Sequence, residues 1–417
     1  MKLLTAIIKR RLLRSKNPFT FTSRYDNQLD YMGIEHLGLY VHIPFCAVIC
    51  DFCPYCKQVY QKALADKYID ALLKEIELVC KKQTDKKRVT SLYFGGGSPA
   101  IVADRLSCII LKLKEYFIIE DGIGVELHPD DVTPKTLAIL NSAGITRISI
   151  GVQSFSESCL KNLGRETINK SELFNNLKST EFETVAMDFI FALDGQNFST
   201  IKADIETAFN GGANHVALYP FIDFALMKSN VKKMSSKDMK KLLYKIYSYC
   251  NLHGYVRDSI WTFAKLGTKK YSSMTRDNFL GFGCSATTLT KNQFKINTFN
   301  VEAYIDRISC SNLPTALTID FSLRQRMVYW LFWRLYTTQL DPKDFLKTFG
   351  VSLKSMFGLE FNIGRILGFL KKKKSIYYLT KKGIYYYHYF EGYYTHAYID
   401  KMWHIMRNEP FPTSLEL

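Results

Sequence analysis

The feature that most constrains this chain is a run of three closely spaced cysteines on one predicted loop. Cys46, Cys50 and Cys53 have the spacing C-x3-C-x2-C and follow a short apolar run from Leu39 to Ile43. Three thiolates on one loop can hold three irons of a [4Fe-4S] cube, which leaves the fourth iron without a protein ligand. An iron with an open position can bind a small molecule. The spacing therefore predicts a metal cluster that carries its own ligand site.

Two other cysteine chemistries are open at this loop. A structural zinc site uses four ligands, usually as two C-x2-4-C pairs, and a C-x2-C pair can be a redox motif. The second pair that zinc needs is missing, so we favour the cluster. Cys56 follows Cys53 by three residues, and we do not count it as a cluster ligand. The remaining cysteines are scattered singly along the chain: Cys80, Cys108, Cys159, Cys250, Cys284 and Cys310.

The segment from Tyr40 to Cys53 resembles the radical S-adenosylmethionine (radical SAM) superfamily, and more narrowly the oxygen-independent coproporphyrinogen III oxidase family. That family carries Y-x-H-I-P-F-C-x3-C-x-F-C, which this sequence matches at each fixed position. The resemblance implies that the open iron takes the amino and carboxylate groups of SAM. It also implies that an electron from the cluster cleaves SAM, and that the resulting 5′-deoxyadenosyl radical takes a hydrogen atom from a substrate. The protein then supplies position and keeps water away.

The same resemblance assigns roles to individual side chains. Tyr40 and Phe52 match positions that contact SAM, and Tyr40 and His42 are the candidates for catalysis. A lone histidine on a strand is equally well explained as a hydrogen-bonded core residue, so both roles stay open for His42. The other SAM contacts that the resemblance implies are Gly96, Gly97 and Ser98 in F-G-G-G-S-P, Glu126, Gln153, Arg165 and Asp188.

Residue chemistry agrees with these assignments, although each has a plainer explanation. Glycines let a backbone approach a ligand without a Cβ in the way, but a glycine run is also an ordinary turn. A carboxylate such as Glu126 in a cleft needs a cation or hydrogen-bond donors, which SAM offers, but it can also be a surface residue. The fork of Arg165 suits a carboxylate. After Asp188 the segment Ala192–Gln196 departs from the family's G-L-P-x-Q turn, so the resemblance says less about the substrate than about SAM.

Apolar strand-like runs alternate with longer helix-like stretches from Gly38 to about residue 220. This alternation predicts an α/β fold with a parallel sheet under covering helices. Six such units indicate an incomplete (β/α)6 barrel, which is also the architecture that the resemblance implies. Parallel barrels build their sites at the carboxyl ends of the strands. The predicted strands are Gly38–Ile43, Ser91–Gly95, Gly124–His128, Arg147–Val152, Val185–Phe191 and His215–Pro220.

The last hundred residues change pattern. Helical stretches begin after Asp320, and Ser375–Tyr387 reads as a basic hairpin with Lys382-Gly383 in its turn. Helices followed by such a hairpin predict a small winged-helix-like α+β domain. It can cover the substrate mouth, package the barrel or bind nucleic acid; we favour a cover and expect no nucleic acid, because no separate DNA-reading motif is present. The predicted divisions are 1–37 as a basic extension, 38–290 as the barrel, 291–319 as a linker and 320–417 as the C-terminal domain.

Net charge and cysteine usage limit the possible binding partners and the cellular location. The formal net charge of +17 fits a polycarboxylate substrate, anionic lipid or nucleic acid, or only a solvated lysine-rich surface. Isolated cysteines form no disulfide framework, so we expect a cytoplasmic protein. Met1–Arg14 mixes apolar and basic residues in a run too short to span a bilayer. It is either an amphipathic helix on a membrane surface or, as we favour, a helix packed over the barrel mouth.

These patterns lead to three hypotheses about function. The first is a radical SAM oxidoreductase acting on a tetrapyrrole, by oxidative decarboxylation like coproporphyrinogen III oxidase, by methylation or by haem ring opening. The second is a haem-binding chaperone, because haem-carrying relatives have an aromatic residue where Tyr55 stands. The third is radical modification of a non-porphyrin substrate. We expect one or two SAM molecules, a reducing partner such as flavodoxin or ferredoxin, and a monomer.

Cys284, in L-G-F-G-C-S-A, is either a small buried residue or a thiol participant near the mouth.

Overall fold

Six parallel strands in chain order form the centre of the sheet. The computed structural model describes residues 11–14, 19–25, 28–224, 231–269 and 277–417. Each central strand pairs in parallel with the next, and the two outer strands do not pair with each other. The predicted incomplete barrel is therefore confirmed. The strands are β1 (Leu37–Ile43), β2 (Leu92–Gly96), β3 (Ile123–Leu127), β4 (Arg147–Gln153), β5 (Thr184–Phe191) and β6 (His215–Pro220).

Helices connect these strands because a parallel neighbour needs a crossover. The first, Lys62–Cys80, buries Tyr68, Leu72 and Ile76, which are spaced four residues apart and so lie on one face. Asn197 begins another helix, since its side chain accepts a hydrogen bond from the backbone N–H of Thr200 at 3.2 Å. The further helices of this part are Ala103–Tyr116, Pro134–Ser142, Glu157–Asn162, Lys170–Leu177, Phe198–Asn210 and Ser236–Leu252, with 3-10 turns at Pro99–Val102 and Pro129–Asp131.

The sheet continues beyond both outer strands. β7 (Asn278–Phe282) pairs in parallel with β1. Antiparallel strands then extend the sheet on this side, and the last two of them are Thr20–Thr22 and Ser414–Glu416. Residues 291–319, where we expected a linker, instead contribute two strands and the helix Val301–Ser309. These strands are five and six residues long and mix polar with apolar residues, unlike the nearly continuous apolar runs that predicted the barrel strands. The added strands on this side are Thr287–Leu289, Gln293–Asn297, Thr315–Asp320, Thr20–Thr22 and Ser414–Glu416; beyond β6 lie Thr262–Ala264 and Val256–Arg257.

The C-terminal part has the order helix, strand, two helices and a hairpin. Its short strand pairs with the second arm of the hairpin, which gives a three-stranded sheet. This is the order of a winged helix, and a separate apolar core that contains Trp330, Phe345 and Phe357 holds it together. The elements are Leu323–Tyr336, Gln339–Leu340, Pro342–Phe349, Leu353–Ile366, Leu370–Lys373 and Ile376–Leu379, followed by helices Lys381–Tyr394 and Asp400–Asn408 around a π-helical turn, Thr395–Ile399.

The hairpin predicted over Ser375–Tyr387 is wrong in position. The observed turn contains Lys374, whose φ is 53°, and the residues after Thr380 form a helix instead of a second arm. Thr380 caps that helix by accepting a hydrogen bond from the N–H of Gly383 at 3.0 Å. A Cβ at Gly383 would overlap the carbonyl oxygen of Phe369. This glycine therefore permits close packing and does not make a turn.

The described part of the N-terminal segment, Arg11–Arg14, lies against the C-terminal helices. Leu13 is buried, and the carbonyl of Leu12 accepts a hydrogen bond from Nε of Arg324 at 2.6 Å. The rest of the helix expected over Met1–Arg14 lies outside the described residues. Among the helices that the structure describes, none is long and apolar enough to cross a membrane.

Candidate functional site

The central strands are almost wholly buried, and their partly exposed positions mark a cleft. The strand patterns leave Tyr40, Gly96, Glu126, Gln153 and Asp188 partly accessible among buried neighbours. Each was expected to contact SAM, and they fall on five successive strands. The structure therefore brings the predicted residues to one side of the sheet.

The cysteine loop begins directly where β1 ends. Phe45–Cys46 pairs with Gln58–Val59 and closes the loop, while the backbone N–H of Cys53 donates to the carbonyl of Cys50 at 3.3 Å. Cys46, Cys50 and Cys53 are each partly exposed. Burial, with the nearby Cys53 and Cys50, raises the pKa of the Cys46 thiol to about 12. The three cysteines thus lie partly accessible on one loop, and burial opposes the charged thiolate form of Cys46.

Two cations border this loop. Nζ of Lys57 donates to the carbonyls of Cys50 at 2.5 Å and Cys53 at 2.7 Å. Arg165 donates through Nη1 to the sulfur of Cys50 at 3.5 Å and through Nη2 to the carbonyl of Gly151 at 3.2 Å. Positive charge beside cysteines favours their thiolate forms, which are the forms that bind metal. Sequence reasoning identified Arg165 but missed Lys57.

The glycine run packs against the cysteine loop. Gly96 has a φ of +117°, and a Cβ there would lie 2.5 Å from Cε1 of His42. A Cβ at Gly97 would overlap the carbonyl oxygen of Phe45. The N–H groups of Gly97 and Ser98 donate to the carbonyls of Ile43 at 2.8 Å and Phe45 at 2.7 Å. These glycines are therefore needed for packing, whether or not they also contact a ligand.

Ser98 is buried and bound within the protein. Its hydroxyl donates to a carboxylate oxygen of Asp131 and accepts from the backbone N–H of His128 at 3.1 Å. The hydroxyl thereby ties the end of β2 to the turn after β3. A contact between this side chain and SAM stays a prediction.

Two carboxylates face the cleft from β3 and β5. Glu126 accepts hydrogen bonds from the N–H of Gly96 and the hydroxyl of Tyr93, both at 3.1 Å, and burial raises its pKa to about 7. Asp188 accepts from the hydroxyl of Ser149 at 2.8 Å, and burial, with the nearby Glu126, raises its pKa to about 7. Oδ1 of Asp188 is buried and has no hydrogen-bond partner among the residues that the structure describes. A cation or a set of hydroxyl groups would satisfy such a pair.

Gln153 ends β4 in an unusual backbone conformation. Its φ is +68°, which is uncommon for a residue with a side chain, and the pairing with β5 shifts between Met187 and Phe189. Residues held in such conformations cluster at functional sites. Phe52, by contrast, packs into a small apolar group with Cys159, Leu163 and Phe221.

Tyr40 and His42 form a hydrogen-bonded pair. The hydroxyl of Tyr40 lies 3.1 Å from Nδ1 of His42, and the Tyr40 ring stacks on Tyr93 at 6.4 Å between centroids. Nε2 of His42 lies 3.0 Å from the carbonyl oxygen of Cys56 and 3.2 Å from the hydroxyl of Ser285. His42 is 3% exposed. It is thus a satisfied core residue beside the cleft, and its catalytic role stays a prediction.

A buried carboxylate that the sequence did not reveal fixes the loop after β7. Glu75 accepts hydrogen bonds from the N–H of Gly283 at 2.7 Å, the hydroxyl of Tyr304 at 2.7 Å and Nδ2 of Asn297 at 3.1 Å. Burial raises its pKa to about 7. The only sequence signal was an acidic residue on the apolar face of its helix. Glu75 holds the glycine loop that contains Cys284.

The last helix reaches the cysteine loop. Nη2 of Arg407 donates to the carbonyl of Tyr55 at 2.9 Å. Trp403 packs against Tyr55 at 5.7 Å between ring centroids, and stacks on Phe224 at 5.6 Å with an interplanar angle of 15°. The ring centroid of Phe299 lies 6.4 Å from that of Trp403. An aromatic group from the C-terminal part therefore borders the loop that carries the three cysteines.

The chain is similar in sequence to known proteins. The family model described as the radical SAM superfamily matches residues 40–208. The chain is 27% identical over 358 residues to a haem chaperone, HemW, from Bacillus subtilis, which covers 82% of this chain and 94% of that protein. It is 23% identical over 364 residues to an oxygen-independent coproporphyrinogen III oxidase from Synechocystis, with 78% of each protein covered.

A solved structure matches the fold. Coproporphyrinogen III oxidase (HemN) from Escherichia coli, a radical SAM enzyme, superposes with a TM-score of 0.72 over 84% of this chain and 88% of that chain, at 20% sequence identity. The match therefore shows that the two proteins share a fold over most of both chains. Residues 40–208 therefore match the radical SAM superfamily, and the solved structure shows the same fold over most of the chain.

Proposed function

We propose that this protein binds a [4Fe-4S] cluster at Cys46, Cys50 and Cys53, binds SAM in the adjoining cleft, and acts on a tetrapyrrole. The observation that carries the proposal is the convergence of the cysteine loop and five partly exposed strand positions on one cleft. Radical SAM proteins use these two groups together, and relatives named for haem and coproporphyrinogen match most of the chain.

The residues present fit both groups. Three thiols on one partly exposed loop, with Lys57 and Arg165 beside them, suit a cluster ligated by three thiolates. The free Oδ1 of Asp188 and the raised pKa of Glu126 suit a ligand that brings positive charge and hydroxyl groups. When bound, the cluster and SAM supply the 5′-deoxyadenosyl radical that takes a hydrogen atom from the substrate.

The chain's own residues then position the reactants and limit access. Glu126 and Asp188 hold the cationic or hydroxyl groups of SAM from two strands, and Arg165 offers two donors to its carboxylate. Trp403 and Tyr55 close the side of the cleft next to the cysteine loop and present aromatic faces on which a flat macrocycle can stack. The net charge of +17 supports binding of a substrate with several carboxylates.

The test uses full-length protein reconstituted anaerobically with iron and sulfide, then given reduced flavodoxin, SAM and either coproporphyrinogen III or haem. We expect 5′-deoxyadenosine to form in proportion to a changed tetrapyrrole: loss of carboxyl mass, gain of methyl mass or an opened ring. The Cys53→Ala variant is the inactive control. SAM cleavage with both tetrapyrroles unchanged would refute the tetrapyrrole as substrate and leave a non-porphyrin substrate, and no cleavage would refute the radical reaction.

A haem chaperone is the second candidate, and the comparisons favour it specifically. The chain spans 94% of the Bacillus subtilis chaperone, and Tyr55 is 53% exposed beside the cysteine loop. In this case haem would bind stoichiometrically and leave unchanged. Haem that is bound tightly and passed intact to an apo-acceptor protein, with no 5′-deoxyadenosine, would establish this function in place of the first.

A further inference from the structure

Three metal-ligating side chains outside the cysteine triplet converge beneath the cleft. The sulfurs of Cys56 and Cys284 lie 3.9 Å apart although the residues are separated by 228 positions. A ring nitrogen of His42 joins them, so that the three ligand atoms lie within 4.8 Å of one another. Among the described residues this is the only such group of histidine, cysteine and acidic side chains.

The three groups are buried and held by their surroundings. Cys284 is 0% exposed, His42 3% and Cys56 8%. The hydroxyl of Tyr68 donates to the carbonyl of His42 at 2.7 Å and accepts from the N–H of Cys284 at 2.9 Å. The backbones that carry His42 and Cys284 are therefore fixed against each other, as a preformed site requires.

His42 can offer Nε2 to a ligand only after a change of tautomer. The carbonyl oxygen of Cys56, 3.0 Å from Nε2, can only accept, so in the metal-free protein Nε2 carries the hydrogen and Nδ1 accepts from the Tyr40 hydroxyl at 3.1 Å. In the other tautomer Nδ1–H donates to the Tyr40 oxygen, and the lone pair of Nε2 becomes available on the side of Cys56 and Ser285. Histidines that bind metals usually donate their other N–H to a fixed acceptor, which sets the tautomer. Tyr40 has that position here.

The spacing of the sulfurs fits a metal better than a disulfide. A tetrahedral zinc site with Zn–S bonds of about 2.3 Å places its two sulfurs about 3.8 Å apart, and the observed separation is 3.9 Å. A disulfide needs about 2.05 Å, so the two sulfurs as placed are not bonded to each other and both thiols are free. Two cysteines and one histidine are a zinc ligand set that keeps a fourth position open.

We propose that His42, Cys56 and Cys284 bind one zinc ion, separate from the iron–sulfur cluster. Binding forms two Zn–S bonds and one Zn–N bond, and the two thiol protons leave to solvent. The ion and two thiolates then carry no net charge, which suits a buried site. The hydroxyl of Ser285, 3.2 Å from Nε2 of His42, borders the fourth position. The ion would link the cysteine loop, β1 and the loop after β7, and would thereby stabilise the positions of these three segments relative to one another.

The test measures metal content and not activity. Full-length protein purified anaerobically without chelators is analysed for zinc and iron, and the double variant Cys56→Ser, Cys284→Ser is compared with Cys250→Ser, which alters a thiol equally buried at 0% exposure. We expect about one zinc per chain in the wild type and in the control, and loss of zinc with unchanged iron in the double variant. Because the cluster ligands are untouched, iron content and SAM cleavage report on the proposed function separately.

A second measurement needs no variant. Co²⁺ added to the wild-type chain should give thiolate-to-cobalt charge-transfer absorption, which excess Zn²⁺ abolishes, with release of about two protons per ion. Wild-type protein that takes up neither zinc nor cobalt would overturn the proposal. So would zinc retained by the double variant, or a peptide pair linked through Cys56 and Cys284 in a non-reduced digest of freshly isolated protein.

Discussion

Nη1 of Arg165 lies 3.5 Å from the sulfur of Cys50, while Nη2 of the same side chain donates to the carbonyl of Gly151 at 3.2 Å. One guanidinium thus connects the cysteine loop to β4. If Arg165 also binds the SAM carboxylate, its truncation removes charge-assisted bonds that contribute about 1.5–3 kcal/mol. We expect Arg165→Ala to weaken SAM binding by about 10- to 100-fold, measured by equilibrium dialysis on reconstituted protein. Arg88→Ala, which alters an exposed ion pair with Glu120, is the control and should bind SAM normally; equal affinity in both variants would contradict this role.

Gly96 should tolerate no side chain. A Cβ there would enter the His42 ring, and the φ of +117° disfavours any other residue. We expect Gly96→Ala to lower the free energy of unfolding by about 3 kcal/mol, from overlap and backbone strain together. Gly195→Ala is the matched control, because Gly195 has a φ of +75° and no described atom lies within 4 Å of its Cβ position; it should cost about 1 kcal/mol. Equal losses in urea denaturation would show that the packing against His42 is unimportant.

SAM affinity should rise with pH. Burial raises the pKa of Glu126 to about 7, so the carboxyl is mostly protonated below pH 7 in the SAM-free protein. A ligand that favours the charged carboxylate must displace this proton, and its binding therefore strengthens as pH rises from 6 to 8. The slope should approach about tenfold per pH unit below pH 7 for one group. Glu126→Gln should bind more weakly at pH 8 and lose most of this slope; an unchanged slope in the variant would assign the proton to another group, such as Asp188.

Glu75 should be essential for stability although it lies outside the cleft. Glu75→Ala leaves the donors of Gly283, Tyr304 and Asn297 without their acceptor. Buried unsatisfied donors cost about 1–3 kcal/mol each, so we expect a loss of at least about 3 kcal/mol in the free energy of unfolding. Glu77→Ala on the same helix removes only a surface ion pair with Lys112 and should cost under about 1 kcal/mol. A similar melting temperature for the two variants would contradict this assignment.

How much of this was predictable from sequence depends on the distance over which each feature acts. The barrel strands and the cysteine loop were predicted because their signals are local: apolar runs, helical stretches and C-x3-C-x2-C. The hairpin was misplaced because Lys382-Gly383 resembles a turn, whereas Gly383 is required by contact with Phe369. The approach of Cys56 to Cys284 could not be predicted, since it depends on how β7 pairs with β1. The structural role of Glu75 likewise depends on hydrogen-bond donors more than 200 positions away in the sequence.

The most direct test of the account concerns the cysteine loop itself. Electron paramagnetic resonance of the dithionite-reduced, reconstituted protein should show a [4Fe-4S] signal that shifts when SAM is added, because the proposed SAM site includes the iron that three cysteine ligands leave open. Cys46→Ala, Cys50→Ala and Cys53→Ala should each lose the signal, whereas Cys56→Ala should keep it with four irons per chain. A signal that ignores SAM, or one that needs Cys56 and survives loss of Cys53, would contradict the assignment of three cluster ligands beside a SAM site.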